Sequence, residues 1–193
     1  RDLHRVHRRQ RQMCIRDSCV APDLIGMGDS DKLKTSDAHS YRFVDHARFL
    51  DAFIEKVVPS GLIILIIHDW GSALGFHWAF RNQDRVAGIA YMEGMVMPVS
   101  WSDWPENARA IFQAMRSDAG EEIILEKNFF IEGILPNAII RDLSAEEHGE
   151  YRRPFLTAGE DRRPTLTWPR EIPIDGVPAD VDAIASQYSQ WLE

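Results

Sequence analysis

The sequence has little of what several classes of protein require. Its 193 residues include only two cysteines, Cys14 and Cys19, too few for a disulfide framework or a four-cysteine zinc site. The longest aliphatic run, residues 62–67, is far shorter than the ~20 residues of a membrane helix. The net charge of −8 gives no basic excess for nucleic acid. We therefore expect a cytoplasmic globular protein without a membrane, nucleic-acid or metal partner.

The first eighteen residues differ from the rest in charge. Residues 1–18 carry a net charge of +4, which leaves −12 for the remainder of the chain. A basic arm of this kind suits targeting or nucleic-acid binding, but it has neither the apolar core of a signal peptide nor a clean amphipathic repeat. Residues 13–18 (MCIRDS) look like a translated sequencing adapter. We therefore interpret 1–18 as an artefact of sequence assembly and exclude it from functional reasoning.

Strand and helix patterns alternate through the first half of the chain. Apolar residues at helical spacing predict a helix over 41–58, and a second helical pattern covers 71–82. The continuously apolar runs 62–67 and 86–92 predict strands buried on both faces. This alternation predicts an α/β domain with a mostly parallel sheet over residues 19–97.

The second half of the chain has a different texture. Eight of the ten prolines fall between Pro98 and Pro178, and no strong strand pattern occurs there. Helical patterns cover 102–115, 120–130 and 144–155, and the proline-rich stretch 157–178 is predicted to be irregular. We predict a helical cap domain over 98–178, followed by a helix at 179–193 that returns to the core.

The most informative motif follows the first predicted strand. Residues 68–71 read His-Asp-Trp-Gly and precede a helical pattern, which is the setting of a nucleophile elbow. Asp69 stands at the nucleophile position, where a carboxylate would attack carbon. The alternative is that Asp69 caps the helix, because Asp is a favoured N-cap residue.

A second carboxylate, Glu93, ends the next predicted strand. Because ligands bind beyond the carboxyl ends of parallel strands, Asp69 and Glu93 are expected to share one rim. Glu93 suits the acid that orients a histidine, with capping of a loop as the alternative. A nucleophile and an acid of this kind also need a histidine that acts as the general base. His77 is expected to pack on the helix and His148 to lie on a solvated face, so neither is suited to that role. His68 is expected to point away from Asp69, since neighbouring strand residues alternate.

Five stretches together resemble the haloalkane dehalogenases of the α/β-hydrolase superfamily, and the similarity runs from about residue 20 to 192. The stretches are 21–32 (APDLIGMGDSDK), 67–78 (IHDWGSALGFHW), 91–93 (YME), 101–106 (WSDWPE) and 128–136 (NFFIEGILP). His-Asp-Trp-Gly alone is shared with epoxide hydrolases, and the combination is what makes the resemblance specific. It implies a partial α/β-hydrolase fold with a helical cap.

The resemblance also implies a mechanism. Asp69 would attack the halogen-bearing carbon, the indole N–H of Trp70 would hold the departing halide, and a histidine steadied by Glu93 would activate water to hydrolyse the ester. The partners implied are a small apolar halogenated substrate, water and a halide ion, with no metal or organic cofactor. The complete protein is expected to be a monomer. Pocket positions of the family match Trp104, Phe112, Phe130, Ile134 and Leu135, with ordinary packing of the cap as the alternative.

The chain also departs from the family pattern. The histidine-bearing loop is expected after residue 192, and the loop with the second halide donor before residue 20. We therefore expect this fragment to lack turnover, because ester hydrolysis lacks its base, while formation of a trapped ester at Asp69 stays open. Asn107 replaces an aromatic residue of some members. An epoxide hydrolase remains an alternative, with Tyr151 and Tyr188 as the candidate proton donors. A non-catalytic protein of the same fold is the third hypothesis.

Overall fold

The computed structural model describes residues 19–193; the predicted artefact at 1–18 lies outside this range. Two helices and two strands alternate in its first half: α1 (Phe43–Val57), β1 (Ile63–Asp69), α2 (Trp70–Arg81) and β2 (Val86–Gly94). The two helices and two strands predicted at 41–58, 62–67, 71–82 and 86–92 are all present, with ends shifted by one or two residues. A strand end that residues 19–23 also suggested is absent. The strands are parallel, as the crossover through α2 requires.

The register of the sheet brings the two carboxyl ends together. Ile64 pairs with Gly88, and His68 pairs with Met92, in an even ladder. The register then shifts between His68 and Asp69, so that Asp69 pairs with Gly94. The shift coincides with the end of regular strand geometry and so bends the chain at the rim of the sheet.

Close packing fixes α2 on one face of β1. A Cβ atom at Gly75 would lie 2.8 Å from Cγ2 of Ile67, so only glycine allows the helix to approach the strand this closely. Leu65 and Ile67 share this half-buried face. Helix α2 itself is almost wholly buried.

The prediction that the strands are buried on both faces is wrong for the described residues. The side chains of Ile64 and Ile66 are 69% and 71% exposed, and Tyr91 on β2 is 55% exposed. No secondary-structure element within 19–193 covers this face of the sheet. The apolar run therefore predicts a strand correctly, but only one of the strand's two faces is buried. The result is an exposed aliphatic stripe along β1.

The second half of the described chain contains helices and no strand of the sheet. Its main elements are α3 (Glu106–Arg116), π-helical segments Glu121–Glu126 and Phe130–Ile134, a single turn Leu135–Asn137, α4 (Ala145–Arg152), 3-10 turns Arg153–Phe155 and Glu160–Arg162, α5 (Arg163–Glu171) and α6 (Ala179–Leu192). None of the helices described is long and apolar enough to cross a membrane. The prediction of a helical texture is confirmed in outline, with α3 beginning four residues later than predicted. Two larger differences remain.

The first difference is at 120–130, where the predicted α-helix is a π-helical segment. The second is α5, which lies within the stretch predicted to be irregular. Pro164 sits in the first turn of α5, where a missing N–H costs nothing, and Pro169 lies inside the helix. Residues 162–169 are all buried, so packing overrides the low helix propensity of proline.

The main core joins the sheet half to the cap half. Buried Phe43 and Phe76 share one apolar cluster with Trp168 of α5 and with Tyr188 of α6. The rings of Phe76 and Tyr188 are 5.6 Å apart, which fastens α6 onto α2. The division into a core at 19–97, a cap at 98–178 and a returning helix at 179–193 stays a prediction.

Candidate active site

Asp69 occupies a strained turn between β1 and α2. Its φ of 47° and ψ of −128° lie in a region that residues other than glycine rarely adopt. Strain of this kind costs about 1–3 kcal/mol and persists where the surrounding structure imposes it. The Asp69 side chain makes no capping hydrogen bond to α2. The geometry is therefore that of an elbow that presents a carboxylate, and it does not support the helix-cap alternative.

Glu93 is the second-last residue of β2 and, like Asp69, has a φ of 47°. The pairing of Asp69 with the next residue, Gly94, brings both carboxylates to the same rim. The Glu93 side chain is 85% exposed, and Oε2 lies 3.3 Å from Nε2 of His68. Glu93 is thus positioned to accept a hydrogen bond from an imidazole at the carboxyl edge of the sheet.

His68 lies closer to the predicted site than its position along β1 suggests. It lines the same cavity as Asp69 and contacts Glu93. The alternation of side chains holds only in extended backbone, and the register shift and the positive φ of Asp69 interrupt it here. A local strand rule could not anticipate this interruption.

A cavity of about 650 Å³ lies over the two strand ends. The core contributes Asp69 and Trp70, and the cap contributes four of the five predicted pocket residues, Trp104, Phe112, Phe130 and Ile134. Leu135, the fifth, is absent from the lining. Further apolar walls come from residues that the sequence did not single out: Leu24, Met27, Met95, Val96, Met97, Trp168 and Ile172. The cavity suits a small apolar ligand that approaches a carboxylate.

A stack of aromatic rings supports Trp70. Its ring lies 4.4 Å from that of Trp168 and 5.9 Å from that of Phe43. Trp168 in turn stacks on His46, with 4.2 Å between ring centres. His46 is fully buried, and burial lowers its pKa to about 4, so the imidazole is neutral at pH 7. Sequence reasoning missed Trp168 and His46, since their contact spans more than a hundred residues.

The two histidines after Asp69 lie away from the cavity lining. His77 packs 5.7 Å from the Phe43 ring, and burial lowers its pKa to about 4. The expectation that His148 sits on a solvated face is wrong, because its side chain is 21% exposed and Nε2 lies 2.9 Å from the Ile131 carbonyl oxygen. The sheltering carbonyl comes from a π-helical segment that local patterns did not reveal.

The tyrosines proposed for epoxide chemistry are absent from the lining as well. Tyr188 is buried and its hydroxyl donates to the Met95 carbonyl at 2.7 Å, while Tyr151 is half-exposed on α4. Asn107, the polar replacement in the cap, is exposed and outside the lining. The described cavity therefore offers no phenol to protonate an epoxide oxygen, which weakens that alternative.

A parallel strand that ends in a strained carboxylate turn, an acid on the next strand and a helical cap define a class of protein. The sequence pattern of the family described as the alpha/beta hydrolase fold matches residues 13–121. The chain belongs to this family, and the predicted fold class is confirmed.

Within that class, the predicted resemblance to haloalkane dehalogenases is also confirmed. The chain is 56% identical to a haloalkane dehalogenase of Sphingobium indicum over 173 residues, which cover 90% of this chain and 58% of that protein. The crystal structure of an ancestral haloalkane dehalogenase superposes with a TM-score of 0.84 at 47% identity, covering 90% of this chain and 60% of that one. The chain thus spans somewhat more than half the length of these relatives.

A third relative carries a different name. The coelenterazine h 2-monooxygenase of Renilla reniformis is 43% identical over 176 residues, covering 90% of this chain and 55% of that protein. More than one reaction is therefore associated with sequences at this level of similarity, and assignment of the reaction needs the chemistry of the site.

Proposed function

We propose that the chain acts in the hydrolytic dehalogenation of small haloalkanes, which yields a primary alcohol and a halide ion. The observation that carries the proposal is the placement of the Asp69 carboxylate. The carboxylate is held in a strained turn at the end of β1, is not used to cap α2, and lines an apolar cavity. The similarity to haloalkane dehalogenases supports the same assignment.

In the first step, a carboxylate oxygen of Asp69 attacks the carbon that bears the halogen. The new C–O bond forms as the carbon–halogen bond breaks, and the bonding pair leaves with the halide. Negative charge thus moves from Asp69 to the halide, where a donor such as the Trp70 indole N–H would stabilise it. The apolar walls around Trp70, which is itself buried, would limit the water that competes for the halide.

In the second step, water attacks the ester carbonyl, and the alcohol and free Asp69 result. This step needs a group that takes a proton from water, and Glu93 is suited to orient an imidazole for that task. The one histidine among the described residues that lines the cavity is His68. The two steps are therefore best followed separately.

The test is a single-turnover reaction of the chain with 1-bromobutane. Bromide release is measured beside the intact mass of the protein, and we expect one butyl group on Asp69 for each bromide released. Asp69→Asn keeps the size of the side chain and removes the nucleophile, so it should give neither product. Equal bromide release by Asp69→Asn, or none by the unmodified chain, would contradict the proposal.

The lifetime of the butyl ester on Asp69 then measures the second step, hydrolysis of the ester. We expect the butyl ester to persist for hours in this chain. Rapid loss of the adduct that His68→Gln abolishes would instead assign water activation to His68. Two further substrates separate the competing functions: an epoxide, followed as formation of a diol without halide, and coelenterazine h, followed as its oxidation. Turnover of either one without reaction of 1-bromobutane would favour the corresponding alternative. A monomeric state and a cytoplasmic location stay predictions from the sequence.

A further inference from the structure

A buried serine joins the two strained turns of the candidate site. Ser72 lies in the first turn of α2 and is fully buried. Its hydroxyl donates to the Asp69 carbonyl oxygen at 2.5 Å and accepts from the Met95 N–H at 2.8 Å. One side chain therefore connects the turn that carries the nucleophile to the turn that carries the acid.

The position of this bridge in the sheet is informative. The regular ladder ends at His68, where the register shifts, and Asp69 and Glu93 both adopt a positive φ immediately beyond it. In this region the two backbones lose the even hydrogen bonding that holds strands at a constant separation. The Ser72 hydroxyl spans the gap at the point where the ladder has become irregular.

The second backbone group of Met95 is held as well. Its carbonyl accepts the Tyr188 hydroxyl at 2.7 Å, so both polar groups of this residue are bound by buried side chains. Met95 lines the cavity and follows Glu93 by two residues. The segment after β2 is thus tied to α2 on one side and to α6 on the other.

We propose that Ser72 is a positioning residue, whose hydroxyl sets the placement of Asp69 relative to the Glu93 turn and the cavity wall. The inference rests on the proposed function, because it assigns to Ser72 the orientation of the attacking carboxylate. Attack on carbon requires a defined approach of oxygen, and small displacements of a positioned group cost large factors in rate. Ser72 itself does not contact the reacting atoms.

The experiment measures the rate of Asp69 alkylation by 1-bromobutane as a function of its concentration, by intact mass. In Ser72→Ala the Met95 N–H loses its partner and the Asp69 carbonyl loses its donor. We expect the limiting rate to fall between about tenfold and a hundredfold, with the half-saturating concentration changed by less than about twofold. Ser72→Cys keeps a weaker donor of similar size, so its limiting rate should lie between those of the unmodified chain and Ser72→Ala.

Thr167→Val provides the matched control. The Thr167 hydroxyl is buried and donates to the Ser40 carbonyl at 3.0 Å, away from the two turns. Its removal should lower the thermal midpoint about as much as Ser72→Ala while the alkylation rate stays unchanged. A purely structural role for Ser72 predicts equal rates in the two variants.

The outcomes separate the two proposals. If the unmodified chain is alkylated and Ser72→Ala reacts equally fast, the positioning role is wrong and the proposed function stands. If the unmodified chain forms no adduct, the proposed function fails, and this inference fails with it. If Ser72→Ala does not fold, the alkylation rates of Ser72→Cys and Thr167→Val are compared instead. A slower rate in Ser72→Cys supports the positioning role, and equal rates contradict it.

Discussion

The buried imidazole of His46 should make the stability of the fold depend on pH. His46 is fully buried against Trp168, and neither of its ring nitrogens has a hydrogen-bond partner of ordinary geometry. Burial lowers its pKa from 6.5 to about 4, against a smaller opposing effect of the Tyr41 backbone. The folded state therefore resists a proton that the unfolded chain accepts readily.

The sign and size of the effect follow from this difference in pKa. Above about pH 7 His46 is neutral in both states and costs nothing. As the pH falls below 6.5, the unfolded state gains a proton first, so folding becomes less favourable. The loss reaches about 3 kcal/mol at pH 4 and is about 2 kcal/mol at pH 5. Below about pH 3 both states are protonated and this group adds no further loss.

The variant that isolates the effect is His46→Phe, which keeps a planar ring against Trp168 and cannot titrate. Urea unfolding followed by tryptophan fluorescence gives the free energy of unfolding at pH 7.5 and pH 5. We expect the unmodified chain to lose about 2 kcal/mol more than the variant between these two values. His77→Phe serves as the comparison, since its pKa is also lowered to about 4 but its side chain is only partly buried. Equal losses in the unmodified chain and His46→Phe would refute the reasoning.

Three further predictions concern other parts of the site and the sheet. Trp70→Phe keeps the stack on Trp168 but removes the indole N–H, so alkylation of Asp69 by 1-bromobutane should slow by about tenfold or more in the intact-mass assay; an unchanged rate would exclude Trp70 as the halide donor. Gly75→Ala places a methyl group 2.8 Å from Ile67, and it should lower the urea midpoint by an amount equivalent to about 1–3 kcal/mol. Ile66→Lys adds a charge to the exposed face of β1 and should raise the protein concentration at which light scattering begins, with alkylation unchanged; loss of alkylation would show that this face supports the site.

The local sequence was sufficient to predict the part of the fold that carries Asp69. An apolar run, a turn motif and a helical pattern occur within twenty residues, so short-range rules describe them well. The placement of Glu93 at the neighbouring strand end followed from the general geometry of parallel sheets. Both predictions use information that is contiguous along the chain or common to the fold class.

Other features depend on contacts that local patterns do not contain. Helix α5 was missed because proline lowers helix propensity, whereas its burial favours the helix. Strand alternation does not predict the contact of His68 with Glu93, because that contact forms where the register of the two strands shifts. The bridge through Ser72 was missed because its two partners become neighbours only when the strands pair.

The stack of Trp70 on Trp168 has a consequence for how a ligand reaches the cavity. The two indoles belong to opposite halves of the molecule, one at the start of α2 and the other in α5. A hinge movement that lifted the cap would separate them, and exposure of two such rings would cost on the order of 5–10 kcal/mol. Fewer than about one molecule in a thousand would then be open at any moment. Ligand exchange would therefore take place without lifting the cap, at the open rim of the cavity where Asp69, His68 and Glu93 are exposed.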